Sequence, residues 1–229
     1  MPDLHASPYL RWPATMSNLE AKQAVASRAA AQALPGQTIG IGSGSSAYLV
    51  LRALGDRVSS ERLDITVVTS SYETDTAADT LGIRRLPLGS VRPLWGVDGA
   101  DEVDPDRRLI KGRGGAMYKE KIPWHTCDRM YLAVDPSKYV ERLGEGFAVP
   151  VEVDRCAVEL TAAFLEAHGA ARSELRLAGG KDGPVITEAG NLILDAWFDE
   201  VPRGLHAQLK ALPGVIETGL FEGYEFEIL

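Results

Sequence analysis

The sequence is short of cysteine and histidine, and it has no surplus of positive charge. Its two cysteines, Cys127 and Cys156, form neither a C-x-x-C redox pair nor the dense framework of a disulfide scaffold. Both read as buried thiols. The four histidines, His5, His125, His168 and His206, show no H-x-x-x-H spacing, which argues against a histidine-rich metal site. Lys and Arg number 24 against 32 Asp and Glu, for a formal net charge of −8 and a pI near 5.1. That balance speaks against a nucleic-acid partner, which demands a basic face. The apolar runs fall well below the roughly 18 to 20 residues of a membrane span, and no basic segment followed by an apolar one opens the chain. The expectation is a cytoplasmic protein with no membrane or nucleic-acid partner.

What is present fits a globular protein. Apolar residues make up 45% and charged residues 24% of 229 positions, enough chain for one sizeable α/β domain or for such a domain with a smaller companion. Residues 1 to 16 read as a loosely docked tail. "SNLE" has the form of a capping box, and the Ala-rich stretch behind it predicts a helix over 17–34 that stops at Pro35-Gly36. Short apolar strands then alternate with helices: "TIGIG", "LDITVVT" (63–69), a helix from about Glu73 to Leu81, strand ends at Val97 and Ile110, and "RMYLAV" (129–134). This alternation predicts a mostly parallel, Rossmann-like sheet with helices on both faces and with ligands at the strands' carboxyl ends. From "PVEV" (150–153) the pattern shifts to a helix of about 15 residues, three strands ("ELRLAGG", "GPVIT", "NLILDAWF") and a helix ending near Leu212. The predicted organisation is an α/β catalytic domain over 17–147 and 214–229, with a small α+β domain, 148–213, inserted before the final strands.

Four loops carry polar chemistry. "GIGSGSS" ends a strand and opens a helix, so backbone N–H groups and the hydroxyls of Ser43, Ser45 and Ser46 can meet an anion; an ordinary Ser-capped turn would look the same. It is neither a Walker loop nor a complete dinucleotide fingerprint. "TSSYET" either caps a helix or binds ligand oxygens. "VDGADEVDP" crowds four carboxylates, a pattern that suits acid/base work on a hydroxylated ligand, a Mg²⁺ site, or a solvated turn. "KGRGGAMYKEK" (111–121) puts Lys111 and a flexible glycine run ahead of a helix with Glu120 one turn inside it. At an effective dielectric near 20, a cation about 4 Å from an anion contributes roughly 4 kcal/mol, so Lys111 can hold a developing oxyanion. Lys119 and Lys121 read as a solvated helix face.

The order of these loops resembles the ribose-5-phosphate isomerase type A family, whose pattern appears here as "GIGSGSS", "TSSYET", "DGADEV", "KGRGGAMYKEKI", "DPSKYV" and "PGVIETGLF", over about residues 17 to 222. The resemblance implies a cofactor-free, metal-free aldose–ketose isomerase of the pentose phosphate pathway acting on a small sugar phosphate, as a homodimer or dimer of dimers. It further implies that Glu120 is the catalytic base and that Asp98, Asp101 and Lys111 join it in catalysis. Substrate binding would fall to Ser43, Gly44, Ser45, Ser46, Asp98, Gly99, Ala100, Asp101, Lys111, Gly112, Arg113, Gly114 and Lys138. Lys22 lies in the family's N-terminal helix, where a solvated lysine is an equal reading. Arg113 interrupts a run that many members keep as four glycines. A non-catalytic sugar-phosphate sensor, an isomerase of a related sugar phosphate, and an acyl-CoA transferase with a nucleophilic glutamate are the competing functions. A retained base beside the basic loop favours the isomerase.

Overall fold

The structure is a computed structural model and describes residues 16–229. The expected N-terminal tail therefore lies, apart from Met16, outside the described residues.

The chain forms two compact units, one of residues up to Gly99 with Lys119–Pro136 and Glu225–Leu229, the other of Ala100–Tyr118 and Ser137–Tyr224. The first unit opens with α1 (Leu19–Ala31), β1 (Thr38–Ile41), α2 (Gly44–Glu61), β2 (Thr66–Thr69), α3 (Tyr72–Thr80), β3 (Arg84–Arg85) and β4 (Trp95–Asp98). The second takes β5 (Glu102–Val103) and β6 (Leu109–Ile110). Helix α4 (Met117–Thr126) carries the chain back to the first unit and its β7 (Met130–Leu132). The rest of the second unit is β8 (Val149–Val153), α5 (Val158–Ala167), β9 (Ala170–Leu175), β10 (Leu192–Phe198), α6 (Leu205–Lys210), β11 (Val215–Thr218) and β12 (Leu220–Phe221). The first unit receives the last strand, β13 (Glu227–Ile228). Residues 148–213, read from sequence as a small domain, all fall in the second unit, which also takes in 100–118, 137–147 and 214–224.

The first unit's six strands lie in the order β13-β7-β4-β1-β2-β3, all parallel. From β1 the chain steps outward through β2 and β3, and from β4 it steps the other way through β7 and β13. The order therefore reverses between β1 and β4, the crevice where open α/β sheets bind ligands. Burial on both faces explains the near-continuous apolar strands: Ile39, Ile41, Val67 and Val97 are fully enclosed. Helix α1 adds Val25, Ala26, Ala29 and Ala30 to this core at helical spacing. Its predicted Ser17 cap is not formed. Asn18 occupies the N-cap in a left-handed conformation (φ 52°), and Ser17 instead accepts from Lys22 Nζ through its carbonyl (2.8 Å) and its hydroxyl (3.4 Å).

The second unit is antiparallel, with a four-stranded sheet β11-β8-β10-β9 and a three-stranded sheet β12-β6-β5. Val151, Val153, Leu194 and Ala196 form its core with Leu165, Leu205 and Leu209 from the helices. Helix α5 is shorter than predicted because Asp154 caps a 3₁₀ turn (155–157) before the α-helix begins. The predicted strand "GPVIT" reduces to a single bridge between Leu177 and Pro184, since Pro184 has no N–H for a ladder.

Candidate active site

In the first unit the sequence brings three of its marked segments to the carboxyl ends of β1 and β4. Strand β1 ends at Ile41, and Gly42 and Ser43 lead into α2. Gly42 has no substitute, because a Cβ there would sit 2.0 Å from Asp98 Oδ1. The Asp98 carboxylate fills that space. It is fully buried, accepting the Gly99 N–H at Oδ1 (2.8 Å) and the Trp124 indole N–H at Oδ2 (3.0 Å). Trp124 and Glu120 lie four residues apart on α4, on one helix face. Glu120 is 3% exposed, and its Oε1 accepts a 2.5 Å hydrogen bond from the Ser43 hydroxyl.

Ser43 is the N-cap of α2, yet its side chain makes no bond to its own helix; the hydroxyl is spent on Glu120. The first turn of α2 carries no acidic residue, and the half-buried Gly44, Ser45 and Ser46 present N–H groups and hydroxyls there. Such a helix start favours an anion. The Ser46 side chain also reaches Gly99, whose Cβ position would lie 3.4 Å from Ser46 Cβ. In "TSSYET" the capping alternative is realised: Ser71 accepts the Thr74 N–H at the start of α3. Lys22 is not the solvated helix lysine allowed for. It is 7% exposed, with Nζ 4.0 Å from the buried Asp135, which also accepts from Asn18 Nδ2 (2.8 Å).

In the second unit Lys111 is 3% exposed, its Nζ 5.4 Å from the centroid of the Phe221 ring. Its N–H donates to Gly219 O (2.9 Å), and a Cβ at Gly219 would sit 2.1 Å from the Lys111 carbonyl oxygen, so the glycine of "ETGLF" is a requirement of this contact. Gly112 and Gly115 hold φ values of 100° and 78°, in the left-handed region, and Gly115 N–H closes the turn onto Gly112 O (2.9 Å). Asp101 accepts the Arg113 N–H at Oδ2 (3.0 Å). The unexpected arginine is thus in the loop by its backbone, while its side chain is 63% exposed with Nε 3.9 Å from Asp101 Oδ1. Lys138 ends a 3₁₀ turn and is half-buried, its Nζ 5.2 Å from the centroid of the Phe147 ring. Ala100 is half-buried and Gly114 exposed.

The acidic loop is no solvated turn. Asp98, Glu102 and Asp104 are 0%, 1% and 4% exposed, and each carboxylate takes its own set of donors. Glu102 accepts from Gly144 N (2.7 Å), Gly146 N (2.5 Å) and Phe147 N (2.8 Å), and Asp104 accepts from Arg108 Nε (2.7 Å) and N (2.8 Å). Among the described residues no group of three or more His, Cys, Asp and Glu side chains is placed to hold a metal ion. Two further expectations are corrected. Lys121 is buried (3%) while Lys119 is half-buried over the Tyr72 ring, and neither cysteine is fully buried: Cys156 is exposed and Cys127 half-buried, its thiol pushed up to about 12 mainly by desolvation.

Known proteins share these segments. The family profile described as ribose 5-phosphate isomerase A (phosphoriboisomerase A) matches residues 66–229. The ribose-5-phosphate isomerase A of Synechococcus sp. (strain WH7803) is 42% identical over 93% of this chain and 92% of its own. This chain belongs to the ribose 5-phosphate isomerase A family. Solved family structures superpose closely. The ribose 5-phosphate isomerase A of Methanocaldococcus jannaschii is 36% identical with a TM-score of 0.86, over 90% of this chain and 92% of that one. A D-ribose-5-phosphate isomerase in complex with phospho-erythronic acid is 35% identical with a TM-score of 0.87, over 93% and 94%. Trp124 was not singled out in the sequence, although it lies one helical turn beyond Glu120.

Proposed function

We propose that this chain interconverts D-ribose 5-phosphate and D-ribulose 5-phosphate with Glu120 as the base. The carrying observation is a buried carboxylate that takes a serine hydroxyl at the head of the helix opening from the first strand. Glu120 removes the proton from C2 of the open-chain aldose, leaving an enediolate, and returns it to C1. The hydroxyl proton passes from O2 to O1, so atoms and electrons balance without a cofactor. A base placed in this way contributes roughly 10²–10⁴-fold.

Lys111 and the N–H groups of the Gly112–Gly114 loop receive the negative charge on the enediolate oxygen, a task for donors fixed before the charge develops. Asp98 and Asp101 hold substrate hydroxyls and assist ring opening, with Gly99 and Ala100 lining the same segment. The Ser43-Gly44-Ser45-Ser46 turn and Lys138 take the phosphate. Phospho-erythronic acid, bound by a relative 35% identical to this chain, supports the reading. It is a phosphorylated four-carbon acid whose planar, anionic carboxylate has the shape and charge of an enediolate. The setting is the non-oxidative pentose phosphate pathway in the cytoplasm, and the assembly a homodimer or dimer of dimers. No helix among the described residues is long and apolar enough to cross a membrane.

Incubation of the purified protein with ribose 5-phosphate, with and without chelator, tests the reading. Ketose is expected at the same rate in both. No ketose overturns the assignment, and a chelator-sensitive rate restores a metal at the 98–104 carboxylates.

A further inference from the structure

Three of the four residues 112–115 are glycines, whose backbone adopts many conformations at little steric cost, yet two peptide planes of this segment are held from one side by a single side chain. Arg176 follows β9, and Asp195 lies on the neighbouring β10. The guanidinium donates to the Asp195 carboxylate through Nε (2.7 Å) and Nη2, a paired geometry that fixes its plane. Its remaining nitrogen, Nη1, donates to Gly112 O (2.9 Å) and to Arg113 O (2.8 Å). Arg176 and Asp195 are 18% and 15% exposed, and Arg176 N–H is itself tied to Ile193 O (2.9 Å).

Each trans peptide points its carbonyl and the following N–H in opposite directions. Holding Gly112 O therefore turns the Arg113 N–H away from Arg176, and that N–H donates to Asp101 Oδ2 (3.0 Å). Holding Arg113 O turns the Gly114 N–H away in the same manner. A flip of either peptide would replace a donor by a carbonyl oxygen, and an oxygen would repel both the Asp101 carboxylate and an enediolate. Glycines permit such flips at little steric cost.

We propose that Arg176, held by Asp195, is a positioning residue of the isomerase: it sets the peptide planes of the Lys111–Gly115 loop and, through the Arg113 N–H, the orientation of Asp101. This rests on the function proposed above. Arg176 touches no reacting atom; it acts by keeping the loop's donors facing the charge that develops.

The test compares Arg176→Ala, Arg176→Lys and wild type in ribose 5-phosphate turnover. For Arg176→Ala, kcat and kcat/KM should fall together by about 10- to 100-fold, the scale of a small misplacement in a site, with KM within about twofold. Added guanidinium ion should restore part of kcat. Binding of phospho-erythronic acid should weaken while that of inorganic phosphate is unchanged. Arg176→Lys keeps a cation but cannot span two carbonyls and a carboxylate, so it should show the same loss; if Arg176→Ala does not fold, this variant decides. A folded variant with kcat within about twofold of wild type, or a loss confined to KM, overturns the inference while wild-type turnover leaves the function standing. An inactive wild type overturns the function itself, and this inference with it.

Discussion

Glu120 and Glu102 are both buried glutamates within the two most informative loops, and they are held in opposite ways. Glu102 sits in the second unit and accepts three backbone N–H groups from the 144–147 turn. Those donors belong to a fixed main chain and cannot turn. Glu120 accepts from the Ser43 hydroxyl, which can rotate, and which is an acceptor as well as a donor. A carboxylate that anchors a loop gains from rigid donors. One that takes up and releases a proton needs a partner able to readjust with its charge. The two residues are chemically the same, and the proposed difference in role rests on what surrounds each.

The comparison breaks most readily at Glu120. Glu120→Gln should retain sugar-phosphate binding and lose at least about 10²-fold in kcat, and steady-state turnover near the wild-type rate would remove the proton-transfer role. The corresponding change in the anchor should read out as stability. Glu102→Gln places an amide N–H₂ against backbone donors and leaves buried N–H groups unsatisfied, for a loss of about 2 kcal/mol in denaturant unfolding. A variant as stable as wild type would show that the 144–147 turn does not depend on the carboxylate. Ser43→Ala removes the rotatable donor and sharpens the contrast; kcat should drop about tenfold, the scale of one charge-assisted hydrogen bond, with the unfolding midpoint little changed. The smallest effect belongs to Arg113→Gly. The backbone N–H that meets Asp101 remains and only an exposed side chain is lost, so kcat/KM should stay within about twofold. A larger fall would bring the guanidinium into the site.

Much of the fold was legible because it is written in local periodicity. The apolar strands and the helices between them appear where alternation placed them, to within a few residues. The failures have local causes. "SNLE" looks like a capping box, but Asn18 takes the cap position because it tolerates a left-handed backbone and reaches Asp135. "GPVIT" has strand composition, and Pro184 denies it a ladder. In the loops read as chemically distinctive, Asp98, Glu102, Asp104, Lys111 and Glu120 are buried, while the 43–46 turn is half-buried and the Arg113 side chain exposed. The solvated reading fails for Lys121 and, of the two readings open for Lys22, fails there too, because a lysine on a helix carries no sign of which face the rest of the chain covers.

The amino-acid order by itself determined the alternation of strand and helix, the glycine turns at strand ends, and which segments carry a carboxylate, a cation and a serine-lined helix start. These follow from torsional preference and side-chain chemistry, which act over a few residues. Tertiary structure alone decided that Ser43 serves Glu120 rather than its own helix, that Trp124 closes on Asp98, that three distant N–H groups meet Glu102, and that Arg176 grips the glycine loop. Each joins residues remote in sequence, and a hydrogen bond requires its atoms within about 3 Å. Only the packed core brings them there.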